Sequence, residues 1–149
     1  MKSLSEVIVE APRRASVVKD IVVLIDREVA NKGGMSGFAI KTGYSVVKKL
    51  QNGELIPNVV DGLLPEFVKS IEPLHAEFRG APKGTFAAFL KSNETRAVNA
   101  MLSVTDSRAQ RTSHAILKST YQKLRPMAEK QVAEALPGVG EIVDRYCRA

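Results

Sequence analysis

The apolar residues of this chain recur at steps of three and four, and prolines and glycines interrupt that pattern at short intervals. Such spacing places apolar side chains on one face of an α-helix. The clearest example is residues 13–30, which follow Pro12 and place Val17, Ile21 and Leu24 on one arc. No segment alternates apolar and polar residues with a period of two over a useful length. The sequence therefore predicts an all-α protein.

The first half of the chain is predicted to contain several helices separated by turns. After residues 13–30, the segment 31–34 stops the helix and Ser36 caps the next one, which Asn52-Gly53 ends. Pro57 and Pro65 are each expected to open a further helix, because proline fits a first turn but not a helix interior. Pro73 is expected to kink that last helix or to start a new turn.

The second half begins with a loop at residues 80–84 and a short helix at 85–90. A long helix is then predicted from Thr105-Asp106 through Leu124, and Pro126 and Pro137-Gly138 interrupt the remaining helical pattern. The complete prediction is one domain over residues 1–149, an irregular all-α bundle of about seven to nine helices, several of them short.

Composition excludes several classes of protein. Apolar residues make up 44% and charged residues 26% of the chain, which is ordinary for a globular domain. Cys147 is the only cysteine, so an internal disulfide and a multi-cysteine metal site are both excluded. No run approaches the roughly 20 apolar residues that cross a bilayer, and the first residues do not resemble a signal peptide. We expect a cytoplasmic protein without a transmembrane segment.

The net charge of +6 is concentrated in one part of the chain. Residues 79–130 contain ten Lys or Arg and three Asp or Glu, a balance of +7, whereas the remaining residues contain 12 and 13, a balance of −1. A basic region of this kind can bind nucleic acid, phosphate ligands or acidic proteins. It is also what an ordinary solvated surface looks like, and that is the more common case.

A basic stripe on the predicted long helix is the most informative feature for function. Its members follow steps of three and four and are Ser107, Arg111, His114, Lys118, Gln122 and Arg125. On one helix they would form a continuous face able to follow an anionic partner, such as a nucleic-acid backbone or an acidic protein. We take Arg111, His114, Lys118 and Arg125 as candidate binding residues, with a solvated face as the competing interpretation.

The glycine turn at residues 33–37 is a second candidate site. If it opens a helix, free backbone amides at Gly34, Ser36 and Gly37 could hold an anion, with Lys41 one turn further on. The segment lacks the spacing of a phosphate-binding loop, so an ordinary helix boundary is the alternative.

Two short patterns resemble parts of a serine enzyme. Ser16 and Ser45 each precede a lysine by three residues, and Lys41-Thr42-Gly43 follows the K-T-G pattern of penicillin-recognising enzymes. In those enzymes the second pattern lies on a distant strand, and here no strand is predicted. Both matches are interpreted as coincidence, and no catalytic residue is assigned.

The ionisable residues do not suggest a metal or cofactor site. His75 and His114 are isolated in sequence and are expected to be structural or exposed. Glu28 projects onto the apolar face of its helix and is expected to be ion-paired, with an acid/base role as the alternative. No metal and no cofactor is predicted.

Several segments together resemble a family of small, uncharacterised helical proteins of actinobacteria. They are Pro12-Arg13-Arg14, the glycine turn leading into Lys41-Thr42-Gly43-Tyr44, and residues 104–109. The resemblance implies a cytoplasmic helical fold and no function, so it assigns no functional residue.

These observations favour a non-enzymatic binding protein whose partner surface includes the basic region, with a second copy of the chain among the partners considered. The alternative is a small enzyme with a site built from polar groups such as Asp106, Arg108 and Glu28. A membrane-surface role is a weaker third interpretation, because the basic helix lacks an apolar face rich in Trp, Phe and Leu.

Overall fold

The computed structural model describes residues 2–10, 12–81 and 83–147, and every regular element within these ranges is helical. Seven α-helices follow one another: α1 (Arg13–Ala30), α2 (Gly34–Lys48), α3 (Leu55–Gly80), α4 (Phe86–Ser92), α5 (Glu94–Arg111), α6 (Ala115–Leu124) and α7 (Ala128–Cys147). A π-helical turn, Ser5–Val9, precedes α1, and 3-10 turns occupy Leu50–Gly53 and Arg125–Met127. The prediction of an irregular all-α bundle is confirmed. No helix in the described ranges is long and apolar enough to cross a membrane.

Short polar side chains cap the starts of two helical elements. The Ser3 amide donates to Glu6 Oε2 at 2.6 Å, and the Glu6 amide donates to Ser3 Oγ at 3.3 Å. This reciprocal pair satisfies two backbone donors at the start of the N-terminal turn. Thr85 caps α4 in the same manner, since its hydroxyl accepts from the Ala88 amide at 3.1 Å. The bounds predicted for α1 are confirmed as well.

The predicted cap of α2 at Ser36 is wrong, because the helix begins two residues earlier. Gly33 is extended at the cap position, and Gly34 has a φ of +70°, a left-handed conformation that glycine adopts without steric cost. At its other end α2 stops at Lys48, and Gln51, Asn52 and Gly53 all have positive φ values. Three consecutive left-handed residues separate α2 from α3.

Pro57 lies in the first turn of α3, as predicted, whereas Pro65 does not open a separate helix, contrary to the prediction. Pro65 and Pro73 lie inside one continuous helix of 26 residues. Each removes a backbone donor, at a cost of about 3 kcal/mol in a helix interior. The apolar face nevertheless runs on across both prolines, and its buried members include Leu63, Leu64, Val68, Ile71 and Leu74. Burying such side chains contributes about 1.5–3 kcal/mol each, which outweighs the loss.

The same explanation applies to α7, which continues through the break predicted at Pro137-Gly138. Leu136 on one side of the proline and Ile142 and Val143 on the other are all buried. The helix therefore keeps one apolar face in the core along its length.

The predicted long helix from Thr105 to Leu124 is also wrong, because the structure has two separate helices there. Thr105 and Asp106 lie within α5, which ends at Arg111, and α6 begins only at Ala115. Between them Thr112 is extended, and its hydroxyl accepts from the His114 amide at 3.2 Å. Side chains that bond to nearby backbone groups compete with helix formation, which explains a break without proline or glycine.

The hydrophobic core is built by the N-terminal turn, α1, α3, α4, α5 and α7. Its largest fully buried side chains are Leu4, Val17, Phe86, Leu90 and Leu136. Among the described residues, α2 and α6 contribute no member to this cluster. They pack against each other instead, and a Cβ on Gly43 of α2 would lie only 3.1 Å from Thr120 Cγ2 of α6. We call α2 and α6, each with the one residue that follows it (Lys49 and Arg125), the outer layer.

Candidate interaction surface

The basic stripe predicted on one helix is divided among three elements. Ser107 and Arg111 lie on α5, Lys118 and Gln122 lie on α6, and Arg125 begins the 3-10 turn. His114 lies in the link between the two helices, where its Nδ1 accepts from the Leu117 amide at 3.5 Å and caps α6. The stripe is therefore not a continuous face. Whether its residues bind an anionic partner stays a prediction.

Part of the stripe lines an open cleft of about 580 Å³ between α5, α6 and the start of α7. Asp106 forms its polar centre. Arg125 donates to both Asp106 oxygens, from Nε at 2.8 Å and from Nη2 at 3.1 Å, and the Tyr121 hydroxyl donates to Oδ1 at 2.5 Å. Lys118, Gln122 and Glu129 complete the charged and polar lining. The cleft brings together three of the six stripe residues.

The protonation of this cleft does not suit acid/base catalysis. Hydrogen bonds from Arg125 and Tyr121 lower the pKa of Asp106. Burial and the hydrogen bond to Asp106 raise the pKa of Tyr121. Both pKa values are thereby shifted further from neutral pH, whereas a general acid or base works best with a pKa near the operating pH. The geometry is that of a structural ion pair.

The residues considered for an enzyme site do not converge. Arg108 is absent from the lining of the cleft that contains Asp106. Glu28 lies elsewhere, where its Oε1 accepts from Lys32 Nζ at 3.5 Å, as expected for an ion-paired carboxylate. The described residues also contain no group of three His, Cys, Asp or Glu that could hold a metal ion.

A second cleft, of about 270 Å³, lies between α1 and α2. Asp26 on α1 accepts from the Tyr44 hydroxyl at 2.6 Å and from Lys48 Nζ at 2.9 Å. Lys48 also lies 5.7 Å from the centre of the Tyr44 ring. Burial raises the pKa of Asp26, but the hydrogen bonds from Tyr44 and Lys48 outweigh it and the net shift is downward. Lys48 is thus engaged by Asp26, which supports treating the Ser45/Lys48 pattern as coincidence.

The glycine turn begins α2 and engages one of the amides considered for an anion site, and whether the turn binds an anion stays a prediction. The Gly37 amide donates to the Gly33 carbonyl at 3.0 Å, so it is engaged within the helix. A Cβ on Gly37 would lie 2.6 Å from the Lys32 backbone, which explains why glycine stands there. Lys41 is seven residues beyond Gly34 and lines the cleft between α1 and α2. Gly34 and Gly37 therefore have structural roles, and the Ser36 side chain falls outside the described part.

The buried His75 is structural. It is 5% exposed and contacts the Phe86 ring edge-on, with centroids 4.9 Å apart. Burial, reinforced by the nearby Arg79, lowers its pKa, although Asp144 acts in the opposite direction. Burial likewise raises the pKa of the Cys147 thiol to about 11, which disfavours the reactive thiolate at neutral pH.

The lowered pKa of His75 predicts how stability depends on pH. The unfolded chain binds a proton at His75 more readily than the folded chain, so the free energy of unfolding falls as the pH drops below about 6.5. Urea unfolding between pH 7.5 and 5 should show this decrease, and His75→Gln should reduce it. The carboxylates with lowered pKa titrate below this range. His114→Gln is the control, and an equal effect of that substitution would contradict the assignment to His75.

The outer layer presents most of the exposed large apolar residues of the described chain. Met35 is 92% exposed, Phe38 74% and Val46 48% on α2, and Ile116 is 45% exposed on α6; Val23 on α1 is the fifth. Phe38 and Val46 lie on the outward side of α2. At 100° per residue they project away from Ile40 and Val47, which are the buried residues of α2. The presence of apolar residues on two opposite faces of α2 was the feature of the sequence that could have indicated an exposed apolar surface.

The charges of the outer layer differ from those of the rest of the basic region. Five of the ten basic residues in 79–130 are ion-paired at 2.5 to 3.5 Å, namely Arg79, Lys91, Arg96, Arg111 and Arg125. Residues 34–49 and 115–125 contain six basic residues and no Asp or Glu. Within the described part of the chain, only Lys48 and Arg125 of these six have an ion-pair partner. Four unpaired lysines, Lys41, Lys49, Lys118 and Lys123, thus belong to this layer.

Comparison with known proteins yields a family without an assigned activity. Residues 4–147 match the model of a family of unknown function (DUF6918). No curated protein and no solved structure matches the chain. The resemblance to a family of unknown function is confirmed.

Proposed function

Because this chain belongs to that family of unknown function, its role has to be inferred from its own surface, and we propose that it is a non-enzymatic interaction protein. The outer layer is the proposed binding surface, and the partner is an anionic macromolecule. An actinobacterial distribution of the family and a cytoplasmic location stay predictions.

The observation that carries this proposal is the position of the exposed apolar residues. Four of the five large exposed ones lie on the two helices that contribute no side chain to the core cluster. Clustered exposed apolar residues are characteristic of interaction sites, whereas single ones scattered over a surface are ordinary. A helix that adds no side chain to the core cluster and still exposes apolar residues is well suited to contact a partner.

The charges support an anionic partner. An incoming anionic surface would meet Lys41, Lys49, Lys118 and Lys123 without having to break an ion pair. It would meet no carboxylate on α2 or α6. Such complementarity raises the rate of association and selects against cationic partners. The ion-paired state of Asp106 and the pKa shifts in its cleft argue against the enzymatic alternative.

The test removes charge from the outer layer. In one variant Lys41, Lys49, Lys118 and Lys123 are replaced by Gln, and in a control variant the exposed Lys2, Lys19, Lys69 and Lys83 are replaced. Both lower the net charge equally. Fluorescent poly-L-glutamate and a generic DNA duplex serve as probes at low salt. We expect at least about a tenfold loss of affinity in the outer-layer variant, equivalent to about 1.4 kcal/mol, and a much smaller loss in the control.

Thermal unfolding accompanies the binding measurement, because exposed substitutions should change stability by no more than about 0.5 kcal/mol. Equal losses in the two variants would show that only net charge matters, and would contradict the proposed surface. The absence of binding by the unsubstituted protein to both probes would contradict an anionic partner.

A further inference from the structure

We propose that the partner contributes an acidic amphipathic helix, which lies along α2 and covers Met35, Phe38 and Val46. This inference rests on the proposed function of the outer layer and adds the structural class of the partner. It follows from the spacing of the exposed side chains, from the charges around them and from the poor fit of other occupants.

The exposed side chains of α2 are spaced as contacts to another helix are. Met35, Phe38, Thr42 and Val46 are separated by three, four and four residues, and all are exposed. Over eleven residues at 1.5 Å each, they extend for about 16 Å, or three turns. Helices recognise helices through anchors at this spacing. Met35 adds a flexible side chain that adapts to the surface it meets.

The second helix of the layer extends this surface. Thr120 of α6 packs near Gly43 of α2, and Ile116 lies one turn before Thr120 on the same face. Ile116 is 45% exposed, so it adds an apolar contact beside α2. Lys123 lies two turns from Ile116 and is also exposed. A third helix laid along the two would bury apolar groups and meet lysines from both.

The lysines select an acidic helix. Lys41 and Lys49 flank the exposed apolar residues of α2 and have no carboxylate partner within the described residues. An amphipathic helix with Glu or Asp beside its apolar face would place carboxylates next to these ammonium groups. Opposite charges flanking an apolar seam determine which helices pair and in which orientation.

Other occupants fit this surface less well. A second copy related by a twofold axis would bring the same lysines together, since such an interface pairs a patch with itself. A bilayer favours a face rich in Trp, Phe and Leu, whereas Thr42 interrupts this one and Lys49 ends it. A nucleic acid would use stacking aromatics, and Phe38 is the one exposed aromatic side chain on the described outer layer.

The experiment uses two synthetic peptides of about 20 residues with identical Leu, Glu and Ala content. In one peptide Leu recurs at steps of three and four, and in the other the order is scrambled. Fluorescence anisotropy measures affinity for the full chain, and circular dichroism measures the helix gained on binding. We expect the periodic peptide to bind at least tenfold more tightly and to become helical.

The double variant Met35→Ser with Phe38→Ser should abolish that tenfold preference. Val23→Ser, which removes an exposed apolar residue of α1, should leave it intact. Equal binding of the two peptides would overturn the proposal of a helical partner. An unchanged preference in the double variant would overturn the proposal that the helix docks along α2. Three other results would each replace the helical partner with a different occupant. Phe38-dependent capture on phosphatidylserine vesicles would indicate a membrane, and Phe38-dependent dimers in sedimentation would indicate a second copy. Phe38-dependent binding of a DNA duplex would indicate nucleic acid.

The four-lysine variant separates this inference from the proposed function. If it loses affinity for both peptides while the double variant keeps full preference, the anionic partner stands and its docking along α2 on Met35 and Phe38 is overturned. If it binds both peptides as the unsubstituted protein does, the anionic partner falls.

Discussion

Replacing Gly140 by Ala should destabilise the protein by about 3 kcal/mol, a cost typical of overpacking at a rigid contact. Gly140 is buried where α7 crosses α4, and an added Cβ would lie 2.7 Å from both the Ala87 amide nitrogen and the Ala87 Cβ. The clash is with backbone, which cannot rotate away, so α4 has to shift. In a domain of this size such a loss lowers Tm by roughly 6–12 °C.

Gly62 provides the matched control. It also lies within a helix, but an added Cβ would have nothing within 4 Å. Gly62→Ala should therefore raise stability by about 0.5–1 kcal/mol, because alanine is the better helix former. Scanning calorimetry on both variants measures the difference. A Gly140→Ala protein as stable as the original would show that the backbones of α4 and α7 do not approach each other as closely as the structure shows.

Replacing Phe86 by Ala should cost about 3–5 kcal/mol, the usual range for removing a fully buried aromatic side chain. Phe86 has no exposed surface and lies against His75, Phe78 and Phe89, with ring centroids 4.9 to 6.1 Å apart. Its removal leaves a cavity and ends the edge-on contact with His75. Urea unfolding at neutral pH measures the loss.

The same substitution at Phe38 is the control, because that ring is 74% exposed. Phe38→Ala should change stability by no more than about 0.5 kcal/mol. A large loss would mean that Phe38 supports the fold, and the surface proposed for a partner would then be structural.

The sequence predicted the helical class and the start of α1, which depends on local chemistry. Pro12 acts over a few residues, so its effect is visible without the rest of the molecule. Pro65 and Pro137 were misinterpreted as helix boundaries for the opposite reason. Their local cost is offset by burial against other helices, and that burial is a property of the tertiary structure.

The candidate surface was predicted only in part. Lys118, Gln122 and Arg125 do come together in one cleft, because they lie within two turns of each other. Arg111 does not join them there, since the chain turns at Thr112. Met35 and Phe38 were not recognised, because an apolar residue on a helix is ordinarily a core residue. Only the packing of α2 on the outside of the core reveals that these two side chains are exposed.

The separation between core and outer layer also has a consequence for dynamics. Regions with few buried apolar contacts open at a lower free energy than the whole protein unfolds. Since α2 and α6 share no side chain with the core cluster, they can loosen while α3, α4 and α7 stay folded. A ligand that binds only the closed arrangement would then reduce amide hydrogen exchange in α2 and α6 selectively. Binding of the partner would then be measured as slower amide exchange in these two helices, while exchange in the core helices that determine global stability would stay unchanged.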